Sequence, residues 1–258
     1  MSSDLIAGTV FLILFLILEN TWPFYKGRKE VLTHGFRNLS IAALNGLINV
    51  AFGPLIIMVI LWGQANKISI HQWLGLSGAF SWIIMFLLFD AWMYIWHRLN
   101  HTWFFLWPFH AMHHADTQMD STTALRFHPA EIVFSNILNI GVLCLLGMSL
   151  EQFVFYKTAL FLVIIFHHSN INLSERLDRG LKRFIVSPSM HRVHHSRKIE
   201  ELNTNYGSVF SFWDRFFKSF CQRNDMEAVE FGLGLPFDRS GGTLVGMLKI
   251  PLAKKISQ

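Results

Sequence analysis

Charge is scarce in this chain. Asp, Glu, Lys and Arg supply 15% of its 258 residues, against about 25% in ordinary soluble domains, which argues against a soluble fold of this size. Cysteine is scarcer still. Cys144 and Cys221 stand far apart, outside any CxxC or CxxH pattern, so neither a disulfide framework nor a thiolate zinc site is indicated. No Rossmann glycine pattern, P-loop or cytochrome haem motif occurs, and no HExxH, so the common nucleotide and zinc-peptidase signatures are missing.

What fills the space is apolar. Hydrophobic residues make up 52% of the chain and mean hydropathy is +0.36, the profile of a polytopic integral membrane protein, all-α, with about four to five apolar helices. The first run, Leu5 to Trp22, has no basic start and no small-residue cleavage site, so it is expected to be a retained span. A second run covers Leu39 to Trp62 with room for a bend at Gly53-Pro54, and a third covers Leu76 to Trp96. Two more, from Ile132 and from Phe153 to Phe166, are separated by a turn at Gly147 and form a membrane hairpin at about 131–166. Three regions follow: spans in 1–96, a histidine-rich region in 97–220, and a C-terminal tail in 221–258.

Histidine is the residue in excess. Of 13 in the chain, only His34 and His71 lie outside residues 97–195. His97 and His101 stand at i and i+4. His110, His113 and His114 repeat the spacing at i, i+3 and i+4, as do His191, His194 and His195, so three helical faces each present a cluster of imidazoles. Eight such rings suit two metal ions better than one. Neutral imidazole binds iron and zinc alike, so spacing leaves the metal open.

Basic residues sort to one side of this topology. Lys26 to Arg37, Arg98, Arg126 and the region after Arg176 face one compartment, while the loop with Lys67 and the Gly147 turn face the other. The positive-inside rule makes the first side cytoplasmic, which places the histidine clusters in a helical cap on the cytoplasmic face. The net charge of +5 thus points to an anionic membrane surface and not to nucleic acid. Arg126, Arg192 and Arg197 read by default as solvated charges, with a lipid head group or an electron donor as the alternative partner. Asp90 is costly inside a span and shares a helical face with Tyr94 and His97. It is expected to accept an imidazole N–H from a ligand histidine, the alternative being a carboxylate that reaches interfacial water.

The segments DAWMYIWHRLNH, HAMHH, ALRFHPAE, FHHSN and SPSMHRVHH, followed by NTNYGSVFSFWDRFF, resemble the fatty acid hydroxylase/sterol desaturase superfamily over roughly residues 80–220. The resemblance implies membrane oxidases with a dimetal centre of two iron ions, zinc being a possible substitute, which use O2 to hydroxylate or desaturate lipid. It assigns metal ligation to His97, His101, His110, His113, His114, His168, His191, His194 and His195. The remaining candidate ligands are His167, otherwise a residue that supports the ligands, and His128, for which a hydrogen-bonding role is the preferred reading, with Glu131 near the centre. Asn170, two positions after His168, joins Asp90 and Tyr94 as a residue expected to support the ligands. Since the chain carries no electron-transfer motif, electrons are expected from an external protein, cytochrome b5-like or ferredoxin-like.

Trp92, Trp96, Trp103, Phe104, Phe105, Trp107 and Phe109 crowd the first clusters and suit an apolar tunnel or an interfacial belt. Residues 203–217 are expected to cap the site, with Trp213 packed inward and Asp214 paired to Arg215. The competing reading is a histidine-rich zinc-dependent membrane hydrolase or a metal-binding membrane protein such as a transporter or bis-histidine haem protein. A hydrolase needs a carboxylate base at an open metal position, and a transporter would hold its ligands at mid-membrane, not at span ends.

Overall fold

A backbone in lipid has no water to satisfy its amides and must bond to itself, and each apolar run of the sequence does so as a helix. The computed structural model describes residues 3–253, and among them there is no strand. Two isolated bridges, Pro23 to Ile171 and Ile185 to Phe210, are the only extended pairings among the described residues. The long elements are α1 (Ser3–Thr21), α2 (Val31–Asn66), followed by one turn, α3 (Ile70–Trp73), and then α4 (Gly78–Thr102). The short α5 (Trp107–His114) comes next, then α6 (Pro129–Leu146) and α7 (Leu150–His168). Six short α-helices follow among the described residues: α8 (Glu175–Leu181), α9 (Pro188–His194), α10 (Ile199–Leu202), α11 (Phe212–Phe216), α12 (Phe237–Gly241) and α13 (Leu244–Lys249).

Among the described residues, four segments are long and apolar enough to cross a membrane: α2 with α3, α4, α6 and α7. The apolar part of α1 is shorter. Leu47, Val50, Met58, Ile83 and Phe155 stand exposed on the outer faces of α2, α4 and α7, an apolar surface that water would not tolerate. The chain is a multi-pass membrane protein. Helix α2 passes through Pro54 without interruption and begins at Val31, eight residues before the apolar run. Its first turns are polar, and they place His34 and Asn38 against Asp116, Asp120 and Thr122.

The hairpin is set by local chemistry. Gly147 closes α6 with φ of 74°, in the left-handed region, and an added Cβ would lie 2.1 Å from the Ser69 hydroxyl, so no other residue fits this turn. Two residues on, Ser149 and Gln152 form a reciprocal capping box that starts α7. Helices α2, α4, α6 and α7 then bury Ile60, Met85, Phe89, Leu143, Tyr156 and Leu160 as one core. The stretch expected to be a tail folds back: Phe237, Met247 and Ile250 pack against Trp107, Ala111 and Met112 of α5. Arg126, fully buried, donates to the carbonyls of Met112 and Gly241 and ties α5 to α12.

Candidate metal centre

The last turn of α4, α5, the end of α7 and α9 meet at one pole of the bundle, and each brings histidines. His97, His101, His110, His114 and His194 form one group, and His113, His168, His191 and His195 form a second. Within each group the ring nitrogens lie within 4.8 Å of one another. Neighbouring positions on one helix separate cleanly: His113 and His114 of α5 serve different groups, as do His194 and His195 at α9.

The tautomers follow from the partners. His97 Nδ1 donates to the Tyr206 carbonyl at 2.9 Å, His194 Nδ1 to the Thr204 carbonyl at 2.6 Å, and His168 Nδ1 to the Ile164 carbonyl at 2.7 Å. His110 Nδ1 donates to Glu131 Oε1 at 2.9 Å. Oxygen acceptors fix the proton on Nδ1, so each Nε2 presents its lone pair. Yet His97 and His194 bring these Nε2 atoms to 3.0 Å from each other. His168 Nε2 lies 3.1 Å from His113 Nε2 and 3.0 Å from His191 Nε2, which in turn is 3.2 Å from His195 Nε2.

At His97 and His194 the two lone pairs cannot hydrogen-bond, the Nδ1 atoms of His113, His191 and His195 are left without a partner, and protonating a ring is opposed by its surroundings. Burial holds His113, His114, His191 and His195 well below the ordinary imidazole range, with neighbouring imidazoles pushing the same way. Burial likewise lowers His194 to about 3. Several buried nitrogens, including both of His101 and of His114 and Nε2 of His110, have no hydrogen-bond partner. Such orphaned groups are costly. A cation in each group answers both problems, since nitrogens about 2.1 Å from one ion and at right angles to each other lie about 3.0 Å apart. The residues therefore fit two metal ions.

The remaining ligand candidates part company. His167 stacks on His191 with centroids 4.0 Å apart, and its two buried nitrogens have no partner. His128, like His167, lies outside both groups, and its contacts are those of a hydrogen-bonding residue. It caps α6, where Pro129 opens the helix, by accepting from the Ala130 amide at 3.1 Å.

Other expectations need correction. Asp90 accepts from Tyr156 Oη, Trp213 Nε1 and the amides of Val209 and Phe210, and from no imidazole. Tyr94 bonds Ser219 and stacks on Phe217. Asn170 bonds both backbone groups of Tyr25. All three join the cap and loops to the bundle without touching a ligand ring nitrogen. Asp214 accepts from the amides of Tyr206 and Gly207 and from Ser219, while Arg215 turns to the Lys182 and Ser211 carbonyls, so the expected pair is not formed. Arg192, expected to be solvated, is buried, bonds the carbonyls of Ser169 and Ile171, and covers the Phe24 ring.

Sequence reasoning missed the carbonyls of Tyr206 and Thr204 altogether, because a backbone acceptor leaves no mark on residue type. Of the aromatics, Trp96 lines the cavity described next, whereas Trp103, Phe104 and Phe105 are exposed at belt positions. Trp107 is buried beside His101 and His114.

An apolar cavity of about 1010 Å³ opens onto the histidines between α1, α2, α4, α6 and α7, with Leu39, Met93, Phe127, Phe153 and Phe161 among its walls and His97, His110, His113, His168 and His191 at one end. The fatty acid hydroxylase family model matches residues 82–219, over half of the chain, and spans every histidine of the two groups. The chain belongs to the fatty acid hydroxylase family. Among relatives of this fatty acid hydroxylase family member, the ornithine lipid hydroxylase of Rhizobium tropici is 28% identical over 175 residues, 63% of this chain and 52% of its own length. The alkylglycerol monooxygenase of Xenopus tropicalis is 27% identical over 235 residues, 90% of this chain and 50% of its own. That of Danio rerio is 31% identical over 160 residues, 62% of this chain and 34% of its own. The chain thus spans about half or less of the length of these relatives. No solved structure matches it.

Proposed function

We propose that this fatty acid hydroxylase family member is a membrane-bound, O2-dependent lipid hydroxylase that holds two iron ions. The observation that carries the reading is the lone-pair contact between two pinned imidazoles, His97 with His194, beside the close approach of His113 and His191, each with an unpartnered Nδ1, to His168, at the end of an apolar cavity. The five-histidine group would hold one ion and the four-histidine group the other, with His167 at hand for the second.

When bound, the metals supply the activation of O2 needed to attack an unactivated C–H bond. One oxygen atom enters the C–H bond and the other leaves as water, which requires two electrons and two protons from outside. An external donor protein, cytochrome b5-like or ferredoxin-like, fits that need. The chain's own contribution is positional. Glu131 and the carbonyls of Tyr206, Thr204 and Ile164 keep protons on Nδ1 and thereby aim the Nε2 lone pairs inward. The cavity walls admit hydrocarbon and exclude water, and they hold one lipid carbon near the site. The positive-inside distribution supports a cytoplasmic face for this pole. Hydroxylation is favoured over zinc-dependent hydrolysis by the match to the fatty acid hydroxylase family and by the lipid hydroxylase and monooxygenase relatives.

The test uses the purified chain in lipid nanodiscs. Elemental analysis is expected to give two irons per chain, and 18O2 with a chemical reductant and a lipid extract is expected to place label in a lipid hydroxyl. One zinc per chain with hydrolytic turnover would overturn the reading.

A further inference from the structure

The cavity carries one cation that the metal centre does not use. Lys157 lies in the middle of α7, a membrane-crossing helix, where an unpaired charge is expensive and calls for a partner. Among the described residues no carboxylate pairs with it, and the acid that shares its cavity, Glu131, is already engaged by His110. The residue is exposed and is one of those that line the cavity.

Its position on the helix decides the rest. Phe153, Lys157, Phe161, Ile164 and His168 follow one another at intervals of three and four, and all line the cavity. They make one face of α7. Lys157 and His168 therefore look into the same space, 11 residues or about 16 Å apart along the axis at 1.5 Å per residue. Phe161 and Ile164 make the wall between them apolar.

We propose that Lys157 anchors the anionic head, a carboxylate or phosphate, of a single-chain lipid whose hydrocarbon runs along this face of α7 to the imidazoles. The proposal rests on the lipid hydroxylase reading and adds the substrate class and its direction: the oxidised carbon lies far along the chain from the head group. A lysine that merely extends its ammonium to the membrane surface would show no preference among lipid heads.

The test reads equilibrium binding to the iron-loaded full chain in phosphatidylcholine nanodiscs, by displacement of a fluorescent fatty acid. The probes are palmitate, hexadecyl phosphate and hexadecanol. Wild type is expected to bind at least one anion more tightly than the alcohol, and the preferred anion tells carboxylate from phosphate. Lys157→Met is expected to weaken that anion at least about tenfold, the low end for a hydrogen bond to a charged group, with hexadecanol little changed and Lys157→Arg restoring most of the loss. Equal binding of the three probes by wild type, or anion binding by Lys157→Met at wild-type strength, would overturn the proposal. Iron content reports whether each variant keeps its metal pole. Should Lys157→Met lose iron, the wild-type comparison of anion with alcohol decides alone. Because binding is read without turnover, failure of the hydroxylase reading leaves this result standing or falling by itself.

Discussion

Two buried polar clusters lie about two turns apart on α4, and they are finished in opposite ways. Around Asp90 every carboxylate lone pair in use meets a donor, from a tyrosine, a tryptophan and two amides. Around His97 and His101 the side chains leave nitrogens unmatched or press lone pair against lone pair. A satisfied cluster fixes the fold, because its members already have what they need. An unsatisfied one is waiting for a ligand. The contrast separates anchoring from chemistry on one helix without reference to residue type.

The contrast breaks most completely at the imidazoles themselves. His113→Ala and His194→Ala, one from each group, are expected to abolish turnover and to lower iron below two per chain by elemental analysis; full turnover in either variant would count against the assignment. At Asp90 the expected damage is of another kind. Asp90→Ala strands four donors and is expected to cost about 3 kcal/mol or more of stability, seen as faster thermal inactivation in detergent, while chains that stay folded keep two metals. Glu131→Gln probes the border between the two kinds of cluster, since it leaves the ring of His110 in place but weakens what orients it; metal affinity is expected to fall about 10- to 100-fold, measured by competition with a chelator.

Acid supplies the mildest test. His113, His114, His191 and His195 are held well below their ordinary value of 6.5 by burial, so below about 6.5 the unfolded chain takes up protons that the folded chain refuses. Their contribution is fully present above that pH and is lost as pH falls below it. Thermal stability of the metal-depleted chain is expected to decline from pH 7 to pH 5. Iron release should follow the same direction, since ligation needs the neutral ring.

Much of the metal pole was legible in the sequence because helical spacing is a local rule. His97 with His101, and the repeated i, i+3, i+4 clusters, needed only a helix to share a face, and α4, α5 and α9 provide it. Four membrane spans were legible as long apolar runs, although polar first turns hid the true start of α2 and the apolar part of α1, also expected to cross, is shorter than the other four. What failed depended on distant partners. Asp90 sits at a helical offset from His97 that suggests contact, yet Tyr156 and Trp213 reach it from far along the chain and take its oxygens first. His128 had a hydrogen-bonding role as its preferred reading, and it fills one by capping α6, although the sequence did not show which group it would bond. Asp214 and Arg215 are neighbours in sequence, but successive residues in a short helix point apart, and each found backbone partners instead.

The packing of Phe237, Met247 and Ile250 onto α5 has a consequence for biogenesis. During synthesis these three residues emerge only after every histidine of the two groups has been made, so the helix that contributes His110, His113 and His114 lacks its backing until then. Iron acquisition is expected to be a late event that follows insertion of the spans. Nascent chains arrested before Phe237 should capture less iron than chains carried through Leu252.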